Sequence, residues 1–316
     1  MRYALVALMI LLVLLAACAQ KKTEKIELTT PFAGGTTGIV ADFIDFRNEV
    51  FDGGRDPFEV VVKLENKGES NVLGNRVRVK LSGVNPAEFG KLEEDLRKSA
   101  SEDVVGMRKD PQGNILPSAP VFVEFMGLNH FSPIAGSRAD FPLRAEVCYL
   151  YSTKAVSKLC VRENILNPEA GGICEINEDK PVFNSGAPVQ VGTVKETARA
   201  KDKIGFSFEI TNAGSGAIFE RGSVCDRSSR AQENRVYVIV NSGMPGLQCT
   251  SLTTSGTKAE GFSTIFEGKK IVTCTQTVTS RTDFEQLVDI EVIYDYEEYK
   301  QTTLTVKSSG ESPETS

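Results

Sequence analysis

The sequence predicts an all-β protein made of two tandem β-sandwich domains, and a duplicated stretch is the main evidence. The first copy is FEVVVKLENKG, from Phe58 to Gly68, and the second is IGFSFEITNAG, from Ile204 to Gly214. In both copies apolar and polar residues alternate before an Asn-x-Gly break, as in a strand with one buried face that ends in a turn. Asn and Gly suit a turn because both tolerate a positive φ.

The order and spacing of other segments extend the repeat. A second alternating segment follows in each copy, NRVRVKL in the first and NRVYVIV in the second, and a Tyr-x-Tyr pair comes later in both. By subtraction, Tyr149 lies 83 residues after Asn66, and Tyr294 lies 82 residues after Asn212. Because chance similarity rarely preserves both order and spacing, we infer two copies of one domain.

Changes in composition set the expected domain boundaries. Pro and Gly indicate irregular backbone between the copies, and the Ser-, Glu- and Pro-rich C-terminus has no apolar pattern. Each copy is long enough to bury a core of its own. We expect a lipoprotein signal peptide at 1–17, a flexible tether at 18–36, the first sandwich at 37–165, a linker at 166–187, the second sandwich at 188–307 and a disordered tail at 308–316.

The N-terminus has the features of an export signal. The apolar run from Ala4 to Leu15 is shorter than the roughly 20 residues that span a bilayer, and small residues follow it. The sequence LAAC that ends at Cys18 resembles the lipobox of prokaryotic lipoproteins. That resemblance implies lipid attachment at Cys18 and an extracytoplasmic protein anchored to the membrane. The alternatives are an ordinary signal peptide with an incidental Cys, or an uncleaved anchor.

A short helix is expected inside the first sandwich. The sequence NPAE from Asn85 has Asn as N-cap, Pro at the first helical position and Glu at the third. Phe89, Leu92 and Leu96 then recur on one helical face. We interpret 86–98 as an amphipathic helix that caps an open end of the sandwich, with partner binding as the alternative.

The six cysteines other than Cys18 are expected to form three disulfides, because an even number in an exported chain is typical of such a framework. Cys148 and Cys160 flank a predicted hairpin with its midpoint near Lys154, and both point outward from it, which suits a bridge. Zinc is the alternative use of the cysteines, but the chain contains no C-x-x-C and one histidine. We expect the pairs Cys148–Cys160, Cys249–Cys274 and Cys174–Cys225.

The sequence offers few groups for catalysis or metal binding. His130 is the one histidine, and no G-x-S-x-G, Walker A, HExxH or GxGxxG motif occurs. Asp52, Asp56 and the run Asp295–Glu298 could supply oxygen ligands for calcium, but neither stretch has EF-hand spacing, so we interpret them as solvated residues. We expect no enzymatic activity, no cofactor and no metal. A hydrolase that pairs His130 with a Ser or Asp is a further hypothesis.

Charge narrows the range of partners. The formal net charge is −6, and removal of Arg2 with the signal makes it −7. No basic stripe stands out, so nucleic acid is not an expected partner. The expected partners are the membrane, through the N-terminal lipid, and another protein of the envelope.

The strand followed by Asn-x-Gly, at Asn66–Gly68 and Asn212–Gly214, resembles the CARDB-type and related immunoglobulin-like modules of bacterial and archaeal surface proteins. It covers the first half of each copy and leaves out the Tyr-x-Tyr segment and the cysteines. The resemblance implies immunoglobulin-like sandwiches that act as spacers, adhesins or assembly units. The alternative is a small-ligand or glycan receptor that uses a groove between the domains or beside the 86–98 helix, lined by aromatics such as Phe125 and Phe131.

Overall fold

The computed structural model describes residues 30–167, 172–280 and 282–310. The signal peptide expected at 1–17, the lipid attachment expected at Cys18 and most of the expected tether lie outside the described residues, as does the end of the tail. No helix within the described ranges is long and apolar enough to cross a membrane.

The described chain is all-β. Its helical turns are short 3₁₀ segments at Gly74–Arg76, Pro86–Phe89 and Arg230–Gln232. The strands, in chain order, are β1 (Ile39–Ile44), β2 (Glu49–Phe51), β3 (Phe58–Asn66), β4 (Val77–Ser82), β5 (Arg97–Ser99), β6 (Arg108–Lys109), β7 (Ile115–Leu116), β8 (Val121–Leu128), β9 (Arg138–Val161), β10 (Asp179–Lys180), β11 (Phe183–Asn184), β12 (Val189–Val191), β13 (Val194–Ala200), β14 (Lys203–Asn212), β15 (Ala217–Phe219), β16 (Arg235–Asn241), β17 (Leu247–Cys249), β18 (Thr253–Ser255), β19 (Lys258–Thr264), β20 (Lys269–Thr277) and β21 (Phe284–Lys307).

Three larger sheets build the molecule, and β6 and β7 pair with each other as a fourth, two-stranded sheet. The first sheet has the order β1-β3-β8, and the second has the order β10-β13-β14-β20-β17, with β12 also paired to β14. The central sheet has the order β18-β19-β16-β21-β9-β4-β5, and β2, β11 and β15 pair with its two long strands. Buried side chains from all three sheets form one continuous apolar core.

The two long strands hold the copies together. β9 and β21 pair antiparallel over all 24 residues of each, from Arg138 opposite Lys307 to Val161 opposite Phe284. Each strand therefore starts among the strands of its own copy and ends among those of the other. The hairpin expected near Lys154 is wrong, because β9 continues straight through a segment, STKAVSK, that contains neither Gly nor Pro.

Four buried tyrosines mark the centre of this pairing. Tyr149 lies opposite Tyr296, and Tyr151 lies opposite Tyr294. These tyrosines belong to the Tyr-x-Tyr motifs of the two copies. The middle residues of the two motifs, Leu150 and Asp295, lie opposite each other, so equivalent positions of the repeat are paired. The register therefore relates the two strands by a local two-fold axis at that point.

The hydrogen bonds of these tyrosines repeat in both copies. The Tyr151 hydroxyl donates to Asn66 Oδ1 at 2.8 Å, and the Tyr296 hydroxyl donates to Asn212 Oδ1 at 3.1 Å. Both Asn residues are those of the Asn-x-Gly motif. The motif therefore anchors the end of an outer-sheet strand to the centre of the shared sheet.

Each motif requires glycine because a side chain at that position would clash with its neighbours. The sequence had suggested a different reason, a turn with a positive φ. A Cβ added at Gly68 would lie 2.1 Å from the Tyr151 hydroxyl oxygen, and one at Gly214 would lie 2.3 Å from that of Tyr296. Neither glycine has a positive φ. The tyrosine hydroxyls therefore occupy the space that any side chain would need.

The helix expected at 86–98 is wrong, although the chain does turn where its start was expected. Asn85 Oδ1 accepts from the Ala87 N–H at 3.3 Å, and a 3₁₀ turn runs from Pro86 to Phe89. Gly90 then adopts φ 64 and ends the turn, and the chain reaches β5 by further turns. Phe89 enters the core while Leu92 remains 62% exposed, so the apolar residues share no helical face.

The structure joins Cys148 to Cys225, Cys160 to Cys174 and Cys249 to Cys274. The expected pairs Cys148–Cys160 and Cys174–Cys225 are therefore wrong, whereas Cys249–Cys274 is the pair that was expected. Cys148 and Cys160 are twelve residues apart on one extended strand, a distance of about 40 Å. Three disulfides indicate an oxidising, extracytoplasmic environment.

Candidate functional site

The candidate site lies on the outer face of the central sheet, the face opposite the apolar core. Along β16, outward Tyr237, Ile239 and Asn241 alternate with buried valines. The strand register across β19, β16, β21 and β9 sets the outward residues in rows, which are Phe262, Tyr237, Ile293 and Ser152, then Glu260, Ile239, Glu291 and Lys154, then Lys258, Asn241, Asp289 and Val156. An apolar centre is therefore surrounded by charges of both signs.

A groove of about 600 Å³ lies on this face where the copies meet. We call it the junction groove. Ser152, Lys154 and Glu291 line it from the long strands, and the other lining residues are Phe32, Glu69, Ser70, Asn71, Met107, Arg108, Lys109 and Ser185. A second cavity of about 240 Å³ shares Phe32, Lys154 and Glu291 with it and continues over Ile239 to Lys258. The two cavities together cross from the first copy to the second.

The chain that precedes the first strand is bound beside the junction groove. The Glu69 carboxylate accepts from the N–H groups of Ala33 at 2.9 Å, Gly34 at 3.0 Å and Gly186 at 2.6 Å. The Lys109 ammonium donates to the Thr30 carbonyl oxygen at 3.1 Å. The described end of the expected tether is therefore held in place, next to the chain that joins the copies.

Two exposed cations line the junction groove. Arg108 and Lys154 are exposed, and neither forms a salt bridge with any residue that the structure describes. Lys154 lies opposite Glu291 in the strand register without an ion pair between them. The Ser70 and Ser152 hydroxyl oxygens are 3.2 Å apart on the same side. Because one of these hydroxyls donates to the other, the groove can offer a ligand its cations and one serine hydroxyl donor.

A loop of the second copy covers the neighbouring part of the same face. Asp295 is buried there and accepts from the N–H groups of Gly222 at 3.1 Å and Val224 at 2.6 Å. Burial raises the pKa of the Asp295 carboxyl, and these hydrogen bonds oppose the shift. Together with the Cys148–Cys225 disulfide, Asp295 fixes the loop to the sheet.

The carboxylates considered for calcium have other partners. Asp52 accepts from the N–H groups of Ile134 at 3.0 Å and Ser309 at 2.7 Å, and these bonds lower the pKa of its carboxyl. Asp56 pairs with Arg47 at 2.6 Å. Within the described ranges, no three metal-binding side chains form a group that could hold an ion.

His130 lies in an aromatic environment under the 3₁₀ turn at Pro86–Phe89. Its ring centroid is 5.0 Å from that of Phe89 and 5.6 Å from that of Phe141. Burial lowers the pKa of His130, and Glu88, whose Oε2 is 3.9 Å from Nε2, opposes that shift. His130 is thus a packed residue, and it lines neither of the two cavities.

The aromatic residues expected to line a binding groove do not do so. Phe125 is buried in the core, and Phe131 is 55% exposed and lies over Gly54 and Gly90. The aromatic residue of the junction groove is Phe32, which falls within the expected tether. Its carbonyl oxygen accepts from Lys109, which is distant in sequence, so no local pattern could have assigned it to the groove.

Comparisons with known proteins give no family. No family model matches the chain, and no curated protein matches it. Among solved structures, the secreted serine protease VesC from Vibrio cholerae is similar at 7% identity and a TM-score of 0.17, over 84% of this chain and 51% of that one. The chain thus spans about half of the protease chain. The structure described as the triple jelly roll fold and turret assembly in an archaeal virus is similar at 11% identity and a TM-score of 0.13, over 87% of this chain and 92% of that one.

One expectation is corrected by this comparison. No enzymatic activity was expected from the sequence, and a serine protease stands among the similar structures, so that exclusion is withdrawn. At a TM-score of 0.17, the likeness assigns neither a fold nor an activity to this chain. The structure itself defines an all-β, disulfide-bonded protein with an open face on its central sheet.

Proposed function

We propose that the protein is a lipid-anchored component of a prokaryotic cell envelope, in which two immunoglobulin-like sandwiches act as one rigid structural or adhesive unit. The observation that carries the proposal is the pairing of β9 with β21 over all 24 residues. At about 3.3 Å per residue such a strand is nearly 80 Å long. Because the pairing continues through the centre, the molecule has no hinge there and suits a spacer or a docking platform.

The arrangement of strands supports an immunoglobulin-like interpretation of each copy. In the first copy, β1-β3-β8 faces β5-β4-β9, and in the second, β13-β14-β20 faces β19-β16-β21. Strands that correspond in the sequence repeat, such as β3 with β14 and β4 with β16, thus take corresponding places. Two packed antiparallel sheets per copy are typical of that sandwich class.

The location is supported by two independent features. The three disulfides favour an oxidising compartment. The LAAC sequence at Cys18 favours lipid attachment, and the acyl chains that lipobox cysteines carry would give stable anchoring. We infer that the unit is held at the outer side of a membrane and contacts another envelope protein through the open face around Ile239.

Metabolic labelling with radioactive palmitate tests the anchor. The wild-type chain should incorporate label and fractionate with membranes, whereas Cys18→Ala should do neither. Cys249→Ala is the matched control, because it also removes one cysteine but leaves the signal and Cys18 in place. Equal labelling of wild type and Cys18→Ala would remove the lipid anchor from the proposal.

Site-specific photo-crosslinking tests the docking face. A photoreactive amino acid in place of Ile239 should give a discrete adduct with one envelope protein in intact cells. The same probe at Lys203, at the other end of the second copy, is the control. If both positions give the same adducts, or if neither gives any, the open face has no specific partner.

A further inference from the structure

We propose that the junction groove binds the phosphate-bearing headgroup of an anionic membrane lipid, with Arg108 and Lys154 as its cations. The choice of a lipid as the source of that phosphate rests on the proposed anchoring at Cys18. The binding chemistry itself rests on the groove alone, so the two proposals can fail separately.

The first argument is the chemistry of the groove. Arg108 and Lys154 both line it and are exposed, and no described carboxylate forms an ion pair with either. An arginine supplies paired N–H donors that match phosphate oxygens, and a lysine supplies a compact charge. The hydroxyls of Ser70 and Ser152 are hydrogen-bonded to each other at 3.2 Å, and the serine that accepts in that bond can donate its own hydrogen to a ligand. Cations with adjacent hydroxyl donors are the groups that a phosphate ester requires.

The second argument concerns the carboxylates that share the lining. Both oxygens of Glu69 already accept backbone N–H groups, those of Ala33, Gly34 and Gly186. Glu291 is on β21, so Lys154 on β9 lies between it and the wall formed by the first copy. An anion bound against that wall would therefore meet Arg108 and Lys154 first. The groove lining has more cations than carboxylates, in a chain with a net charge of −6.

The third argument is position. Lys109 binds the carbonyl oxygens of Thr30 and Phe32, so the chain from the N-terminus arrives at the junction groove itself. Thr30 is twelve residues after Cys18. Whatever its conformation, a chain of twelve residues reaches at most about 40 Å. With Cys18 in the membrane, the groove is thus held close to the lipid surface, and its volume of about 600 Å³ is in the range of small-ligand sites.

Vesicle co-sedimentation tests the proposal with the chain from Ala19 to Ser316, which has no lipid-attachment residue. In low salt, the chain should bind vesicles of phosphatidylglycerol and phosphatidylcholine in equal parts, and should bind pure phosphatidylcholine much less. Because a basic side chain near an anionic surface contributes on the order of 1 kcal/mol, Arg108→Ala and Lys154→Ala should each weaken binding about fivefold, and the double variant more than tenfold.

A matched control removes equal charge elsewhere. Lys201→Ala with Lys203→Ala deletes two exposed cations from the turn between β13 and β14, at the opposite end of β14 from Asn212. This variant should bind vesicles like the wild type. An equal loss in this control would show that overall charge determines binding and would overturn the groove assignment. Circular dichroism with thermal unfolding verifies that each variant folds. If Lys154→Ala does not fold, Arg108→Ala, which lies in a short hairpin, still tests the proposal by itself.

Competition with glycerol phosphate distinguishes a lipid headgroup from a free phosphate ester as the ligand of the groove. Added in excess, it should compete with the anionic vesicles for the wild-type chain. If it binds in an Arg108-dependent manner while vesicles do not bind at all, the groove takes a soluble phosphate ester and the lipid assignment is wrong. If neither Arg108→Ala nor Lys154→Ala weakens vesicle binding, the assignment of the site to the junction groove is wrong. None of these results depends on whether Cys18 is lipidated, which palmitate labelling decides.

Discussion

The glycines of the two Asn-x-Gly motifs offer a graded test of how the copies are joined. A Cβ at Gly68 would lie 2.1 Å from the Tyr151 hydroxyl oxygen and 2.4 Å from the Gly186 carbonyl oxygen. Both distances are below any ordinary contact, and the second involves backbone. Gly68→Ala therefore forces Tyr151 away from Asn66 and also displaces the chain between the copies.

The expected cost follows from two effects. Overpacking a filled site costs roughly 1–3 kcal/mol, and loss of a buried hydrogen bond costs about 1 kcal/mol more. We expect Gly68→Ala to lower the free energy of unfolding by about 3 kcal/mol, which for a chain of this size lowers Tm by roughly 6–12 °C. At Gly214 the close atoms belong to the side chains of Tyr296 and Pro188, at 2.3 and 2.8 Å, so Gly214→Ala should cost less.

Thermal unfolding followed by circular dichroism, with the disulfides intact, measures both effects. Gly192→Ala is the matched control, because the nearest atom to its added Cβ is the Glu209 carbonyl oxygen at an ordinary 3.5 Å. The expected order of Tm, from highest to lowest, is Gly192→Ala, then Gly214→Ala, then Gly68→Ala. If Gly68→Ala is as stable as Gly192→Ala, the tyrosine hydroxyls do not require these glycines and the reasoning is refuted.

Three other predictions concern buried charge, the bound N-terminal segment and the covering loop. Burial raises the pKa of Glu196 to about 7, against hydrogen bonds from Cys160 N–H and the charge of Lys180. The folded state therefore favours the protonated acid. As the pH rises from about 4.5 to 7, the free energy of unfolding of the wild type should fall by roughly 2–4 kcal/mol relative to that of Glu196→Gln. Urea titrations in which the two proteins show no such divergence would contradict the prediction. Glu69→Ala removes the acceptor for the N–H groups of Ala33 and Gly34, so hydrogen exchange at these two amides should accelerate at least tenfold while exchange in β9 is unchanged. Equal protection in the variant would show that Glu69 does not hold this segment. Replacement of Cys148 and Cys225 by Ser should make the peptide bonds near Gly222 more sensitive to protease. The control is the double replacement of Cys249 and Cys274 by Ser. Protease resistance equal to that of the wild type would show that Asp295 alone suffices to hold the loop.

Period-two alternation was sufficient to predict which side chains enter the core. Val60, Val62 and Leu64 in the first copy are buried as expected, and so are Phe206 and Phe208 in the second. The pattern is local, and burial on one face of a strand is its direct physical cause. The all-β class could therefore be predicted from the sequence.

The connections between strands could not be predicted in the same way. Ser152, Thr153 and Lys154 interrupt the alternation as a turn would, but the segment has no Gly or Pro, so the sequence suits both a hairpin and a long strand. The choice depends on whether β21 is present to pair with it. The disulfide pairs depend on that choice. The helix signal at Asn85 likewise specified a start, whereas Gly90 and the burial of Phe89 determined the end.

A groove between the domains was considered for a receptor, but the residues that line the junction groove were not predictable, because they come from segments far apart in the chain. Phe32, Arg108 and Lys154 have ordinary sequence neighbours, and only the register of the long strands and the hydrogen bonds of Glu69 bring them together. A polar residue on an exposed strand face gives no signal of its own. Such a site becomes visible when the neighbours across the strands are known.

The pairing of equivalent positions, Leu150 with Asp295, has a consequence for either half of the chain taken alone. The long strand of that half would have an unpaired edge, which the same strand of a second molecule can fill in a symmetric homodimer. In the full chain the axis of that pairing lies inside one polypeptide. Either half expressed alone should therefore associate in pairs, with its own Tyr-x-Tyr strand as the contact.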